Sequence, residues 1–482
     1  MGRCRVATDE VYMRVTNKII QNNSLTNINT NKILQDKLST MISTEKKISR
    51  PSDDPIIALR SLRLRTSVNQ TSQYVEKNVE DAKSWLTVTE DSLTTLSDVI
   101  TDIRKQYVKG SSDTLEPSDR KIILDNLSAL ADEVYNTGNA DFAGRSVFTG
   151  YRTESTLTFQ KQENIDYQIT ENLTSLKPDV ITYVHEGDAE NDVYSTEIKR
   201  IRLSYSDLDN KDITLKINGT VVTAEKMSET ASPDPYSTVH DDPSKVVFIP
   251  ETGEILMGDT AITDEITSVE VTYEKTKWSK GDLKPEHYFD CKDTTNNIDY
   301  ISHDGEIEYN IGVNQFIRIN TNADECFNHD IRRDIEDTIN ALREQIEIDE
   351  KIADIEKEIK GYDGTQTAEI AAANKRLDAA KKSKTFIDEK LTNLFGKNIT
   401  NADEYLNRNS VSLTNCGTRS KRLDLIENRL DTQLASLKEL KSENEDADLA
   451  ETAIKLSSAQ YAYDASLMST SKILKESLLN YI

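Results

Sequence analysis

The sequence predicts an α+β fold: a long antiparallel helical rod, coiled-coil-like and built from both chain ends, with an inserted β-rich domain. Three observations predict it. Glycine (16) and proline (9) are scarce in 482 residues, and no proline follows Pro285, so the last 197 residues can be helical almost without a break. Apolar residues recur at alternating spacings of four and three between Val68 and Tyr107. From about Thr156 the texture changes to short runs rich in β-branched and aromatic residues, and it returns to helical texture at about Asp330.

The first element is a polar helix over residues 17–48. Six asparagines between Asn17 and Asn31 make its first part a poor helix former. Beyond them Leu34, Leu38, Met41 and Ile48 form a narrow apolar stripe. The stretch SRPSDDP at 49–55 then breaks the helix. Pro51 disfavours helical geometry at Arg50, and Asp53 and Asp54 follow. Asp54 suits an N-cap, and Pro55 at the first helical position loses no needed donor.

Residues 56–108 carry the cleanest periodicity. Val68, Ser72, Val75, Val79, Ala82, Leu86, Thr89, Leu93, Leu96, Ile100, Ile103 and Tyr107 form one seam, and ten of the twelve are apolar or aromatic. A helix of ~50 residues is roughly 75 Å long, a length that suits a rod. GSSDTLE at 110–116 reads as a turn. Pro117 opens a further helix with Ile122, Ile123, Leu127, Leu130 and Val134 on one face, and Gly138 and Gly144 end it.

The β texture comprises LTFQ, VITYVH, ITLKI, TVVTA, KVVFI, SVEVTY, EIEYNI and QFIRIN. Asn218-Gly219 between two of these runs is a strong hairpin signal, and Asp304-Gly305 suggests a second hairpin. Residues 155–325 hold 34 acidic and 15 basic side chains, most of the net charge of −25. Residues 331–360 and 367–395 read as a helical hairpin. A further helix over 418–442 has the seam Leu423, Ile426, Leu430, Gln433, Leu437 and Leu440. A last helix from about Asp446 carries Leu467, Leu474, Leu478 and Tyr481 on one stripe.

These boundaries divide the chain into five parts. They are an N-terminal assembly helix (1–50), the N-terminal half of the rod (51–155) and an acidic β-rich insert (156–326). The C-terminal half of the rod follows (327–445), with an extra hairpin at about 345–390, and then a C-terminal assembly helix (446–482). The stripes of the two assembly helices are too narrow to stabilise isolated helices, so they are candidates for contact between subunits.

The charge argues against nucleic-acid binding, which needs basic patches, and against docking on anionic membranes. No run reaches 18 apolar residues, and the N-terminus lacks the apolar core of a cleaved signal peptide. No nucleotide, hydrolase or zinc-protease motif occurs, so no enzyme activity, cofactor or metal is expected. The five histidines are scattered and read as surface residues. His185-Glu186 and His303-Asp304 sit on strand texture, where neighbours point to opposite faces. Asp241-Asp242 lacks the spacing of a calcium loop. Trp85 reads as a packing residue. Cys4, Cys291, Cys326 and Cys416 show no metal or disulfide spacing and read as free thiols.

Several motifs then fall in order at both ends. They are MRVTNKIIQNNSLTNINTN at 13–31, SRPSDDPIIALRSLRLRTSV, a WLTVTEDSL segment, GRSVFTG at 144–150, YNIGVNQFIRINTNADECF at 309–327 and SENEDADLAETAIKLSS…SLLNYI at the C-terminal end. Over roughly 13–155 and 305–482 this resembles the flagellin superfamily, and within it the hook-associated protein 3 family of hook–filament junctions. That family carries PSDDP where flagellins carry DDAAG. Residues 1–12 precede the family's usual start, which makes Met13 the expected initiator. The resemblance implies a structural, extracellular component of the bacterial flagellum. It would be exported unfolded through the type III apparatus with an export chaperone. It would then assemble as a ring between hook-associated protein 1 and flagellin. The alternatives are a filament flagellin and a secreted adhesin or enzyme carried by the insert.

Overall fold

A computed structural model of the protein describes residues 17–112, 115–174, 178–262, 266–301, 305–363 and 366–479. The fold is α+β, with helices at both ends of the sequence and a β-rich region between them. Seven long helices occur among these residues: α1 (Asn17–Thr44), α2 (Pro55–Gln73), α3 (Glu80–Gly110), α4 (Pro117–Asn136), α5 (His329–Gly361), α6 (Thr367–Glu445) and α7 (Leu449–Leu479). The chain divides into two compact units, Met1–Lys77 with Ile426–Ile482, and Asn78–Leu425.

Two helix boundaries differ from the sequence reading. The span 56–108 is not one α-helix, because a π-helical segment, Tyr74–Val79, separates α2 from α3. Residues 367–395 and 418–442 are not separate helices, because α6 runs through both. The two glycines inside it, Gly396 and Gly417, have open space where a Cβ would lie, so neither marks a close contact that would end the helix.

In the first unit α1 runs antiparallel to α7. Asn31 donates to Ser466 Oγ at 2.8 Å, and towards the other end of the pair Lys46 bridges to Asp446. The break at 49–55 is built from its own side chains. Asp53 accepts from the backbone of Arg50 (2.9 Å) and Ser49 (3.1 Å), and these bonds hold its carboxyl below the usual range. Asp54, in extended geometry, accepts from Ile56 N (2.9 Å) and Ile57 N (3.1 Å), with Pro55 opening α2.

Glu445, the last residue of α6, joins these segments. Its side chain accepts two hydrogen bonds from Arg65, at 2.7 and 2.8 Å, and another from Ser61. Its carbonyl accepts from Lys47 N at 2.8 Å. The Arg65 hydrogen bonds, with Ser61 beside them, lower the Glu445 carboxyl to about 2 against the cost of burial.

In the second unit α3 lies antiparallel to α6. Lys83 pairs with Asp424 (3.1 Å), Asn409 donates to Leu93 O (2.7 Å), and Arg104 pairs with Asp403 (2.7 Å). Gly110 lies so close to Phe395 that a Cβ there would overlap the ring. On α4, Ile123, Leu127 and Val134 are buried, but Ile122 is exposed and not part of that face. The hairpin of α5 and α6 closes on Ile348, Ile355, Leu377, Ala380 and Ile387.

The β-rich region holds two main sheets. Its six-stranded sheet runs in the order Ile298–Tyr300, Asp290–Asp293, Glu163–Thr174, Ser268–Trp278, Thr214–Ile217 and Thr220–Val222. Its five-stranded sheet runs in the order Asp179–His185, Tyr194–Arg202, Glu254–Met257, Val246–Ile249 and Glu225–Lys226. One apolar core joins the two, with Ile169, Leu215, Val271 and Trp278 from the first and Ile201, Phe248 and Ile255 from the second. Val247 and Ile249 point the other way, against Val239 of the short helix Pro235–Asp241. A strand covered on both faces reads as the continuous apolar run KVVFI.

Asn218 (φ 50°) and Gly219 (φ 79°) make the turn between Thr214–Ile217 and Thr220–Val222. LTFQ is not a strand, although Thr158 forms an isolated bridge to Leu283. A later hairpin pairs Glu308–Gly312 with Gln315–Arg318 and turns at Asn314 (φ 56°); Asp304 of the expected Asp304-Gly305 turn lies outside the described residues.

A buried ionic network ties the five-stranded sheet to the helices. Arg200, only 2% exposed, contacts Asp179 (3.0 Å), Glu254 and Asp337. Arg202 contacts Asp334 (2.7 Å) and Asp337 (2.9 Å). Asp334 also accepts from Tyr405 (2.6 Å) and Asn401 (2.8 Å) on α6. Burial pushes the Asp337 carboxyl up, and the two guanidiniums overcome it and hold it well below the usual range.

Glu171 is the opposite case. It is buried in the Glu163–Thr174 strand, accepts from Tyr273 OH and from Ser204 N at 3.1 Å, and is pushed up to about 7 by burial. The folded chain therefore keeps this proton above pH 4.5, where the unfolded chain releases it. Stability should fall as pH rises from about 4.5 to 7, and Glu171→Gln should flatten that slope in melts recorded across the range. At the helix break, Asp54→Ala should destabilise the chain by about 1 kcal/mol in denaturant titration, through the lost cap.

Candidate assembly surface

The first unit buries little of its apolar surface. Among the described residues its buried apolar side chains are Leu38, Ala58, Val68, Leu430, Leu434 and Ala459. Thirteen large apolar side chains of the same unit are exposed among the described residues, on α1, α2, the end of α6 and α7. Helices that leave more large apolar groups wet than they bury present a surface for a partner.

On α7 the exposure is ordered. Thr452 and Ala459 are buried on the side that packs along α1. Ile454 (68% exposed), Tyr461 (76%) and Met468 (70%) lie on the opposite side at intervals of seven. Ser458 and Ala465 fall between them and complete a spacing of four, three, four and three. That is the seam of a helix prepared for a second helix, with small residues between large ones. On α2, Ile56 and Leu59 are exposed together with Arg60 and Arg63, opposite the buried Ala58, Ser61 and Val68.

The residues singled out in the sequence fall unevenly around this surface. Leu34 and Leu467 are exposed. Met41 is half-buried, and Leu38 is buried within the unit, so it is not free for a second subunit. Ile48 lies beyond the end of α1, in the segment leading to the break, and belongs to no helical stripe. The side chains of Leu474 and Leu478, and all of Tyr481, lie outside the described residues, as do Cys4 and Met13. The outward stripe of α7 is Ile454, Tyr461 and Met468, a set that the sequence reading missed. Its signal was present as the 4–3 spacing, and it was hidden by the serine and alanine at alternate positions.

The seam positions divide between the units. Val79, Leu86, Leu93, Leu96, Ile100 and Ile103 are fully buried in the second unit, as is Leu423. In the first unit Val75, Ile426 and Leu437 are half-buried and Leu430 is buried. Gln433 and Leu440 are exposed, and Leu434 is buried in place of Gln433. A straight α-helix drifts about 20° per heptad, and that drift moves the buried position by one residue.

The histidines are not all on the surface. His329 is buried, and so is the side chain of His287. His185 and His240 both stack on Tyr194, and His303 lies outside the described residues. Glu186 pairs with Lys351 at 2.6 Å, away from any joint role with His185. Asp242 accepts from Ser244, and Asp241 lies beside His240. Trp85 is buried. Cys291, Cys326 and Cys416 are buried free thiols. Among the described residues no cluster of three His, Cys, Asp or Glu side chains is placed to hold a metal ion. No helix among them is long and apolar enough to cross a membrane.

Comparison with known proteins finds similarity in the N-terminal part of the chain. The bacterial flagellin N-terminal helical region matches residues 15–153. Flagellar hook-associated protein 3 of Salmonella typhimurium is 28% identical over 144 residues, 30% of this chain and 45% of that protein. Its Escherichia coli namesake is 32% identical over 111 residues, 23% of this chain and 35% of that protein. The match therefore spans less than half the length of either relative. The crystal structure of flagellar hook-associated protein 3 from Legionella pneumophila aligns over 79% of this chain and 98% of its own. Its identity is 13% and its TM-score 0.30. The part of this chain that is similar to the bacterial flagellin N-terminal helical region is therefore residues 15–153.

Proposed function

We propose that this chain forms the junction between hook and filament in the bacterial flagellum. On this reading it assembles as a ring, with hook-associated protein 1 on one side and flagellin on the other. It reaches that place outside the cell unfolded, through the type III export apparatus with an export chaperone. Its role is structural and not catalytic. The helices of the two chain ends form one antiparallel rod that carries the β-rich insert.

One observation carries the reading. The matched N-terminal region contains PSDDP and ends in GRSVFTG, the pattern that resembles the junction branch and differs from filament flagellins. The outward stripe of α7 supplies a physical means of assembly. In the free protein, α1 and α7 bury one face against each other, and contact between subunits covers the rest.

Two experiments test this. Deleting the gene should leave hooks intact while flagellin accumulates in the medium, scored by electron microscopy and immunoblotting. Hookless cells, or filaments that are merely short, would count against the junction role. Tyr461→Glu alters an exposed position, so the monomer's stability should barely move, within about ±0.5 kcal/mol in denaturant titration. The same variant should fail to join hook to filament, leaving cells non-motile. Normal motility would remove the α7 stripe from the assembly surface.

A further inference from the structure

Two exposed faces of the first unit carry opposite charge. On α2, Arg60 and Arg63 stand beside Ile56 and Leu59, which are 72% and 54% exposed. This helix holds three arginines and no acid. Arg65 is paired with Glu445, whereas Arg60 and Arg63 form no salt bridge among the described residues.

The end of α6 repeats the pattern with the sign reversed. Leu430, Leu434 and Glu445 are buried on one side of the helix. Ser436, Glu439 and Glu443 are exposed on the other, at spacings of three and four, with the half-exposed Leu440 beside them. Neither Glu439 nor Glu443 forms a salt bridge among the described residues. Lys438 is exposed as well, but a helix turns by about 100° per residue, which places it on the flank of this face.

The two faces point away from each other. The inner sides of α2 and of the end of α6 meet, where Asn444 donates to Ile57 O at 3.1 Å and Glu445 accepts from Ser61 and Arg65. The arginine face and the glutamate face are therefore the outer sides of one helix pair, and neither can neutralise the other within a single copy.

We propose that the arginine face of α2 on one copy docks on the glutamate face of α6 on the next, with Ile56 and Leu59 against Leu440. This pairing rests on the reading of the chain as a ring-forming junction, and it names the surfaces through which the copies meet. Charge decides the arrangement. A two-fold contact through either face would set arginine against arginine or glutamate against glutamate. Joining unlike faces leaves one face of each kind free on every joined pair, so the contact repeats from copy to copy and a ring can close.

The test is sedimentation of the purified full chain over a range of concentrations. The native chain should self-associate, and more weakly as added salt screens the exposed charges. Arg60→Glu with Arg63→Glu should weaken that association at least about tenfold, because like charges then meet across the contact. Glu439→Lys with Glu443→Lys should do the same. The chain with all four changes has both faces reversed and should associate as the native chain does. Circular dichroism establishes that each variant is folded, and all four positions are exposed. If a reversed face prevents folding, Arg60→Gln with Arg63→Gln removes the charge instead and should also weaken association. A native chain that stays monomeric, a two-residue variant that associates as the native chain does, or a folded four-change chain that does not associate would each overturn the proposal. The junction role stands or falls separately, by the gene deletion, since sedimentation reads only whether copies join through these faces.

Discussion

A pair of helices can bury one face of each partner and no more. In the unit that contains α1, α2 and α7, this constraint leaves Ile33, Ile56, Leu59, Ile454, Tyr461 and Met468 in water. Adding length does not help, because every further turn adds as much outward surface as inward. The ordering entropy of such helices is offset by a narrow stripe alone, and single helices of this kind are marginal. One polar point links several of its segments, the carboxylate of Glu445 between Ser61 and Arg65 and its carbonyl on Lys47 N. That point fixes where the segments turn but covers none of the outward apolar surface. The unit is thus ordered where the chain turns and incomplete along its length.

The other unit obeys a different rule. Its two sheets share an apolar core, and α3 has α4 and α6 to pack against, so its seam from Val79 to Tyr107 is buried. Its polar groups are paired to match. Arg200 and Arg202 pair with five carboxylates, and Asp334 bridges from Arg202 to Tyr405 and Asn401. Breaking one member of such a network strands a charge and costs several kcal/mol. Forming the network adds little net stability over a well-packed apolar contact. Its consequence is geometric, because fork-shaped guanidiniums accept few alternative arrangements. The β-rich region therefore has a set orientation on α5 and α6.

Much of this architecture was legible in the residues. The 4–3 seam, the scarcity of glycine and proline and the Asn218-Gly219 turn are local signals, and local physics decides them. The strand Glu163–Thr174 was not legible, because Glu171 occupies an inward position and spoils the alternation. Only the distant Tyr273 and Ser204 make that carboxyl tolerable there. Tyr194–Arg202 was hidden for the same reason, since Arg200 reads as a surface residue until Asp179, Glu254 and Asp337 are brought round it. The burial of His329 likewise depends on Tyr205, Tyr288 and Phe289, each far from it in sequence. On the candidate surface, the apolar character of the chain ends was readable but the side that faces outward was not. That choice follows from which face of α7 meets α1.

The outward stripe of α7 also constrains the kind of partner that can cover it. Ile454, Tyr461 and Met468 span two heptads, over which a straight helix drifts by about 40°. They therefore still share one face, whereas a longer heptad pattern would need supercoiling to stay aligned. A sheet edge would pair with backbone groups, and α7 has already used its own in the helix. A flat apolar surface would leave the gaps at Ser458 and Ala465 unfilled. A helix crossing at a shallow angle fills those gaps with its own knobs and covers the three large side chains at once. On the proposed reading, the subunits of the ring meet helix to helix, and each new subunit supplies the second face that the helix pair lacks.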